Sequence, residues 1–302
     1  MQTVPASSGE QDSSLPSGPW LAFDRAQFAG TFSRAPFAFR HDLCAHPLLQ
    51  LPRIIELSKD LPVECVEYNA GTLTLNQDPT LTPRSGLSAE ETLRRIETCK
   101  SWMVLKNVQE NATYRHLVDE CLDQVQPVID ATDPDMTLRK AFIFVSSPGS
   151  VTPYHADFEY NFLLQVRGTK SIAVFDGDDR ELLSEASRER IICGGQRNLP
   201  YRDEFADRAR IFPLGPGDGV HVPLSSPHWV RVGDDFSISL SITFQSRRSA
   251  AILGAHRVNA RLRALGLTPT EVGRSPAMDA VKFTAYRAVR KVLDGSARLR
   301  KQ

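Results

Sequence analysis

Residues 236–244, FSISLSITF, alternate without a break. Phe236, Ile238, Leu240, Ile242 and Phe244 fall on one face of an extended chain, and Ser237, Ser239, Ser241 and Thr243 on the other. Such a strand packs its apolar face into a core and turns its polar face toward a cavity. The stretch 153–167, PYHADFEYNFLLQVR, has the same period and predicts one strand. His155, Asp157, Glu159, Asn161 and Gln165 then share one face, and Tyr154, Phe158, Tyr160, Phe162, Leu164 and Val166 the other. Shorter β-like runs at 140–147, 171–176, 208–214, 218–223 and 228–232 lie between Gly, Pro and Asp breaks. Many short strands in succession predict an antiparallel β core over about 138–245.

Around that core the period changes. Residues 36–43 read as a strand, 47–61 as a helix, 63–75 as a strand and 101–108 as another strand. Ser88 and Glu91 form a capping-box pattern that opens a short helix to about Cys99. Over 111–129, Leu117, Cys121, Leu122 and Val125 fall on one helical face. After Ser246 the spacing is helical again, with Val258, Leu262 and Leu265 in 247–265 and Met278, Val281, Ala285, Ala288 and Val292 in 276–294. The chain reads as mainly β with flanking helices: a flexible tail over 1–18, a body over 19–245 and a helical segment over 246–302. The tail is rich in Ser, Pro and Gly and lacks the basic and apolar runs of a signal peptide.

Composition changes this picture little. A chain of 302 residues with 41% hydrophobic content builds a sizeable core. Net charge is zero, but residues 246–302 carry 13 Lys/Arg against 3 Asp/Glu. That basic end reads as a solvated helical face or as a contact for an acidic partner; nucleic acid is not expected as a partner. No run approaches the ~18–20 apolar residues of a membrane span, so no membrane partner is expected. Five cysteines without a CxxC pair suggest reduced thiols and a cytoplasmic location.

The chemistry gathers in two places. His155-x-Asp157 presents an imidazole and a carboxylate side by side, a chelating pair for a first-row metal. His221 and His228 both offer a third ligand. Two His and one carboxylate, with half the coordination sphere open, is the facial triad of non-haem Fe(II) oxygenases. Either histidine also fits a buried structural role. His41, His46, His116 and His256 have no carboxylate partner in any pattern and read as structural or exposed.

TPYHADFEYNFLLQVRGTKSIAVF (152–175) followed by GPGDGVHVPLSSPHWVRV (215–232) resembles the JmjC-type cupin Fe(II)/2-oxoglutarate-dependent dioxygenases, in particular their bacterial cupin-like and asparaginyl-hydroxylase branch. The likeness is specific over about 140–245, loose over 19–139 and absent over 1–18. It implies a double-stranded β-helix, the cupin or jelly-roll barrel, with N-terminal αβ elements and a C-terminal helical annex. It implies Fe(II), 2-oxoglutarate as cosubstrate and O2, acting on a peptide, amino-acid or small-molecule substrate by hydroxylation, or by demethylation through the same step. It makes His155, Asp157 and His228 the metal ligands, and places His221 where the family has an aromatic or aliphatic residue. Lys170 takes the place of the basic residue that grips the distal carboxylate of 2-oxoglutarate. Thr152, Asn161 and Thr243 match positions that hydrogen-bond the same molecule, and Glu159 would meet substrate. Residues 176–210 would lie over the mouth as a lid or out in solvent as an insertion. The stripe on 276–294 would pair two subunits as a homodimer or pack on its own barrel. The other reading of the same fold is a non-catalytic metal- or ligand-binding regulatory protein.

Overall fold

The computed structural model describes residues 15–299, with side chains to 292. Most of the tail expected over 1–18 therefore lies outside the described residues, as do 300–302. The first part of the chain builds an αβ flank: β1 (Leu21–Ala22), α1 (Arg25–Thr31), β2 (Phe37–His41), α2 (Leu51–Asp60), β3 (Val66–Ala70), α3 (Ala89–Arg94), β4 (Ser101–Leu105) and α4 (Ala112–Asp130). Side chains set the helix starts. Asp24 caps α1, Asn111 caps α4, and Ser88 and Glu91 form the reciprocal box of α3. The strand expected over 63–75 is shorter because the backbone turns at Gly71. Its N–H donates to the Lys100 carbonyl and its own carbonyl accepts from Val151. A Cβ there would sit 2.4 Å from Ser150 Oγ, so only glycine fits this approach.

The core strands follow: β5 (Thr137–Ser146), β6 (Val151–Ala156), β7 (Tyr160–Arg167), β8 (Lys170–Val174), then α5 (Glu185–Ile192), β9 (Arg210–Leu214), β10 (Asp218–Val222), β11 (Pro227–Val232) and β12 (Ser237–Gln245). They divide between two antiparallel sheets. The larger has the order β1-β2-β10-β7-β12-β5-β4-β3 and the smaller β6-β11-β8-β9. From β5 to β12 the chain passes repeatedly from one sheet to the other, a jelly-roll-like arrangement. Among the described residues the expected barrel is not closed: β6 and β9 end the smaller sheet without pairing to a strand of the larger.

The single strand expected over 153–167 is two strands in different sheets. β6 stops at Ala156, and Asp157 to Glu159 carries the chain across to β7. The crossing is held by the Asp157 carbonyl, which accepts from the Ser225 N–H. Side-chain alternation survives the break, so His155, Asp157, Glu159 and Asn161 still line one cavity. Gln165 lies off that cavity, fully buried, donating to the Arg167 and Gly168 carbonyls and accepting from Ser239.

β12 behaves as its alternation requires. Phe236, Ile238, Leu240, Ile242 and Phe244 are buried with Phe28, Phe32 and Leu117 of the αβ flank. Each such side chain contributes about 1.5–3 kcal/mol by leaving water. Ser241 and Thr243 face the cavity. Residues 176–210 lie neither wholly over the mouth nor wholly in solvent: Arg197 lines the cavity, and part of the segment is packed away. Leu182, Leu183, Ile191, Leu199 and Phe205 pack with Tyr154 and Phe175 in a second buried cluster. The apolar residues hidden among the charges of this segment explain the difference.

The chain ends in α6 (Arg247–Ala264) and α7 (Pro276–Leu299). They pack where Gly254 admits the rings of Phe283 and Tyr286; a Cβ there would lie 2.7 Å from Phe283. Met278, Val281, Val289 and Val292 of α7 are exposed. No helix among the described residues is long and apolar enough to cross a membrane.

Candidate active site

β6 and β11 are neighbours in the smaller sheet, with His155 opposite His228 in register. The two imidazole rings lie 4.1 Å apart between centroids. Asp157, at the start of the crossing, brings Oδ2 to 3.8 Å from His155 Nε2 and 4.0 Å from His228 Nε2. A first-row cation bonds such donors at roughly 2.0–2.3 Å, so the three atoms are close enough for one ion to reach them all.

The protein also fixes which nitrogens are free. His155 Nδ1 lies 2.8 Å from the Pro153 carbonyl, and His228 Nδ1 lies 3.0 Å from the Ser226 carbonyl. Each Nδ1 therefore carries the proton and donates it, and each Nε2 keeps its lone pair toward Asp157. Burial, reinforced by the neighbouring His155, lowers His228 to about 4, so it is neutral at physiological pH. Burial alone would raise the Asp157 carboxyl. The charges of His155, Arg197 and His228 outweigh it and hold the group below the ordinary carboxylate value. His228 Nε2 and the Asp157 carboxylate can therefore meet a cation without first losing a proton.

The same cavity contains Thr152, Asn161 and Lys170. Lys170 is buried, and burial alone lowers its ammonium to about 7. Among the described residues no carboxylate pairs with it, so the cavity holds a desolvated cation that lacks a counter-ion. Asn161 Oδ1 accepts from Ser241 at 2.8 Å, which turns the amide NH2 toward the open space. The walls are apolar: Phe142, Phe144, Leu163, Ile172 and Val230.

Thr243 and Glu159 meet each other. The Thr243 hydroxyl donates to Glu159 Oε2 at 2.9 Å, and Lys140 Nζ donates to Glu159 Oε1 at 2.9 Å. Both lie on the cavity, but Thr243 spends its proton on Glu159. Arg197 was not legible in the sequence. Its Nη1 donates to Asp157 Oδ1 at 2.7 Å from within the 176–210 segment. Only a tertiary contact reveals it; nothing in the local pattern distinguishes it from the other arginines there.

His221 is elsewhere. It is fully buried among Phe32, Phe37 and Phe162, with Nδ1 3.1 Å from the Asn161 carbonyl. Burial lowers it to about 3. If His155, Asp157 and His228 hold a metal, His221→Ala is expected to leave Co(II) affinity within about twofold of wild type, because His221 does not line that cavity. It lowers stability by about 2–4 kcal/mol through the cavity left in the aromatic cluster. Metal titration and chemical unfolding check the two halves.

A second group of possible ligands lies between α5 and α6, where Glu185, Glu189 and His256 bring donor atoms within 4.8 Å. His256 Nδ1 is 3.6 Å from Glu185, so the expectation that it has no carboxylate partner is corrected; His116, 3.5 Å from Glu120, is corrected likewise. This group is already neutralised. Arg180 lies 2.9 Å and Arg188 3.4 Å from Glu185, and Arg263 lies 3.1 Å from Glu189. Three guanidiniums against two carboxylates leave no negative field for a cation.

No family model matches the sequence, and no curated protein matches it. Solved structures do match. The X-ray structure of E. coli ycfD aligns with a TM-score of 0.51 at 14% identity, covering 90% of this chain and 68% of that one. A structure of YcfD, a ribosomal oxygenase from Escherichia coli, in complex with cobalt and 2-oxoglutarate gives 0.47 at 14% identity, over 85% and 61%. Another, with cobalt and succinic acid, gives 0.44 at 15% identity, over 89% and 67%. The chain thus spans about two thirds of the length of these proteins. At such identity the likeness is one of architecture, and this chain shares the fold of E. coli ycfD.

Proposed function

We propose that the protein is an Fe(II)- and 2-oxoglutarate-dependent oxygenase that hydroxylates a C–H bond of a peptide, amino-acid or small-molecule substrate. One observation carries this reading. A single cavity holds the His155–Asp157–His228 donor set and, with it, the buried unpaired ammonium of Lys170. A site that only bound a metal has no use for a desolvated cation nearby. A site that binds a metal together with a dicarboxylate needs both.

The residues fit the absent groups. Two imidazoles and a carboxylate, with no thiolate among them, suit Fe(II), and three protein ligands leave room for others. The orphan ammonium is a cradle for a carboxylate. The fold shared with ycfD carries cobalt and 2-oxoglutarate in a structure of that protein.

When bound, Fe(II) with 2-oxoglutarate and O2 supplies the oxidising power, placing one oxygen atom in succinate and the other in the substrate, with release of CO2. The chain does the positioning. His155 and His228 present Nε2, and Asp157 presents Oδ2. Lys170 would hold the distal carboxylate by a charge-assisted bond, in the cavity that Thr152 and Asn161 also line. Phe142, Phe144, Leu163, Ile172 and Val230 keep water from that end. Thr243 holds Glu159 rather than the cosubstrate, and Lys140 braces Glu159 from the other side. Glu159 keeps lone pairs free to accept a hydrogen bond from substrate.

The test is succinate formation by the purified protein. Release that requires both added Fe(II) and 2-oxoglutarate, and stops when either is omitted, is the expected result. No succinate with any divalent metal, while metal still binds, returns the protein to the class of non-catalytic binders.

A further inference from the structure

Asp157 divides its two oxygens between two neighbours. Oδ2 is the atom that faces His155 and His228. Oδ1 accepts from Arg197 Nη1 at 2.7 Å. We infer that Arg197 is a positioning residue that keeps Asp157 a one-oxygen ligand. This rests on the reading that the triad holds a metal, and goes beyond it by assigning the second carboxylate oxygen.

The placement of Arg197 is built into the backbone. Its carbonyl accepts from the Ala156 N–H at 3.3 Å, and the Leu199 N–H donates to the Tyr154 carbonyl at 2.9 Å. Asn198 forms a β-bridge with His155, and its side chain donates to the Gln77 carbonyl at 2.8 Å. Residues 197–199 are thus an added edge on the ligand-bearing strand β6. The α-carbon of Arg197 is held rigidly beside the metal ligands, while its side chain is 65% exposed.

A carboxylate that swings both oxygens onto a cation takes two coordination positions. With Oδ1 held by the guanidinium, Asp157 takes one, and the position beside it stays open for cosubstrate and O2. Two effects of removing Arg197 oppose each other. The loss of a positive charge favours a cation, and the loss of orientation disfavours it. The guanidinium is largely exposed, so solvent screens its repulsion of a cation, while the same charge helps keep Asp157 ionised for that cation. Outer-shell partners of metal ligands are worth about 10–100-fold in metal affinity. Orientation therefore wins.

The experiment uses Co(II) with the full-length protein, read by its visible absorption. Wild type binding one Co(II) supports the metal reading; failure to bind sinks that reading and not merely Arg197. Given wild-type binding, Arg197→Ala is expected to weaken Co(II) by about tenfold or more and to change the position and intensity of the visible bands. Arg197→Gln, which restores a hydrogen-bond donor without charge, returns the spectrum toward wild type. Unchanged affinity and bands in Arg197→Ala overturn the inference. An altered spectrum that Arg197→Gln fails to restore overturns it too, because charge rather than orientation is then responsible. Equal thermal unfolding of the three proteins is expected, since the side chain is mostly in solvent.

Discussion

On the proposed function, Asp157→Ala is expected to abolish iron-dependent turnover of 2-oxoglutarate and tight metal binding, while the protein stays folded. Removing an outer-shell partner of a metal ligand costs about 10–100-fold in affinity or activity. Removing a ligand itself, and the only anion of the three, costs more, on the order of a thousandfold or beyond. Two imidazoles remain, and without the carboxylate they would hold a divalent cation weakly. The fold has little to lose. Asp157 lies at the crossing between sheets, a quarter of its side chain is exposed, and the crossing is pinned by its backbone carbonyl. Its salt bridge is to a largely exposed arginine and contributes little to stability. Co(II) titration and circular dichroism separate the two effects. A variant that turns over 2-oxoglutarate at the wild-type rate contradicts the assignment.

On the same proposal, Lys170→Met is expected to lose 2-oxoglutarate binding and to gain stability. The ammonium is desolvated without a counter-ion, and burial lowers it from 10.5 to about 7. Between those values the unfolded chain binds a proton that the folded chain does not. Wild-type stability without ligand therefore rises with pH across this window, and the cost is fully present below about 7. Methionine of similar length removes the cost. It raises stability at pH 6 by about 1–4 kcal/mol, a shift of several degrees in the melting temperature, and flattens the pH dependence. In the wild type, a bound carboxylate needs the protonated lysine. Affinity for 2-oxoglutarate then weakens as pH rises above about 7, by up to about tenfold per pH unit. Calorimetric titration of metal-loaded protein across pH checks the slope. A Lys170→Met protein that is less stable and still binds 2-oxoglutarate excludes the role assigned to Lys170.

The sequence made some of this legible and hid the rest, for physical reasons. Periodicity located β12 and the polar inner face it presents, because alternation and burial are the same fact seen twice. It placed His155, Asp157, Glu159 and Asn161 together because side-chain alternation continues through the crossing. It could not show that the chain changes sheets there, since a three-residue crossing leaves the pattern intact. His228 and His221 were chemically equal candidates from spacing alone. What separates them is that one faces the cavity and the other an aromatic cluster, a difference of strand orientation. Arg197 and the Lys140–Glu159–Thr243 chain are tertiary contacts between residues far apart in sequence, which no local pattern encodes. The choice between lid and insertion for 176–210 is not legible in the sequence, because its charges dominate its composition while a few apolar residues decide where it packs.

The most direct test is a crystal structure grown with Co(II) and 2-oxoglutarate, with the metal located by anomalous scattering. The account predicts one cobalt at roughly 2.0–2.3 Å from His155 Nε2, one oxygen of Asp157 and His228 Nε2. It also predicts the far carboxylate of 2-oxoglutarate within hydrogen-bond distance of Lys170 Nζ. Cobalt bound instead at Glu185, Glu189 and His256, or 2-oxoglutarate bound away from Lys170, contradicts it.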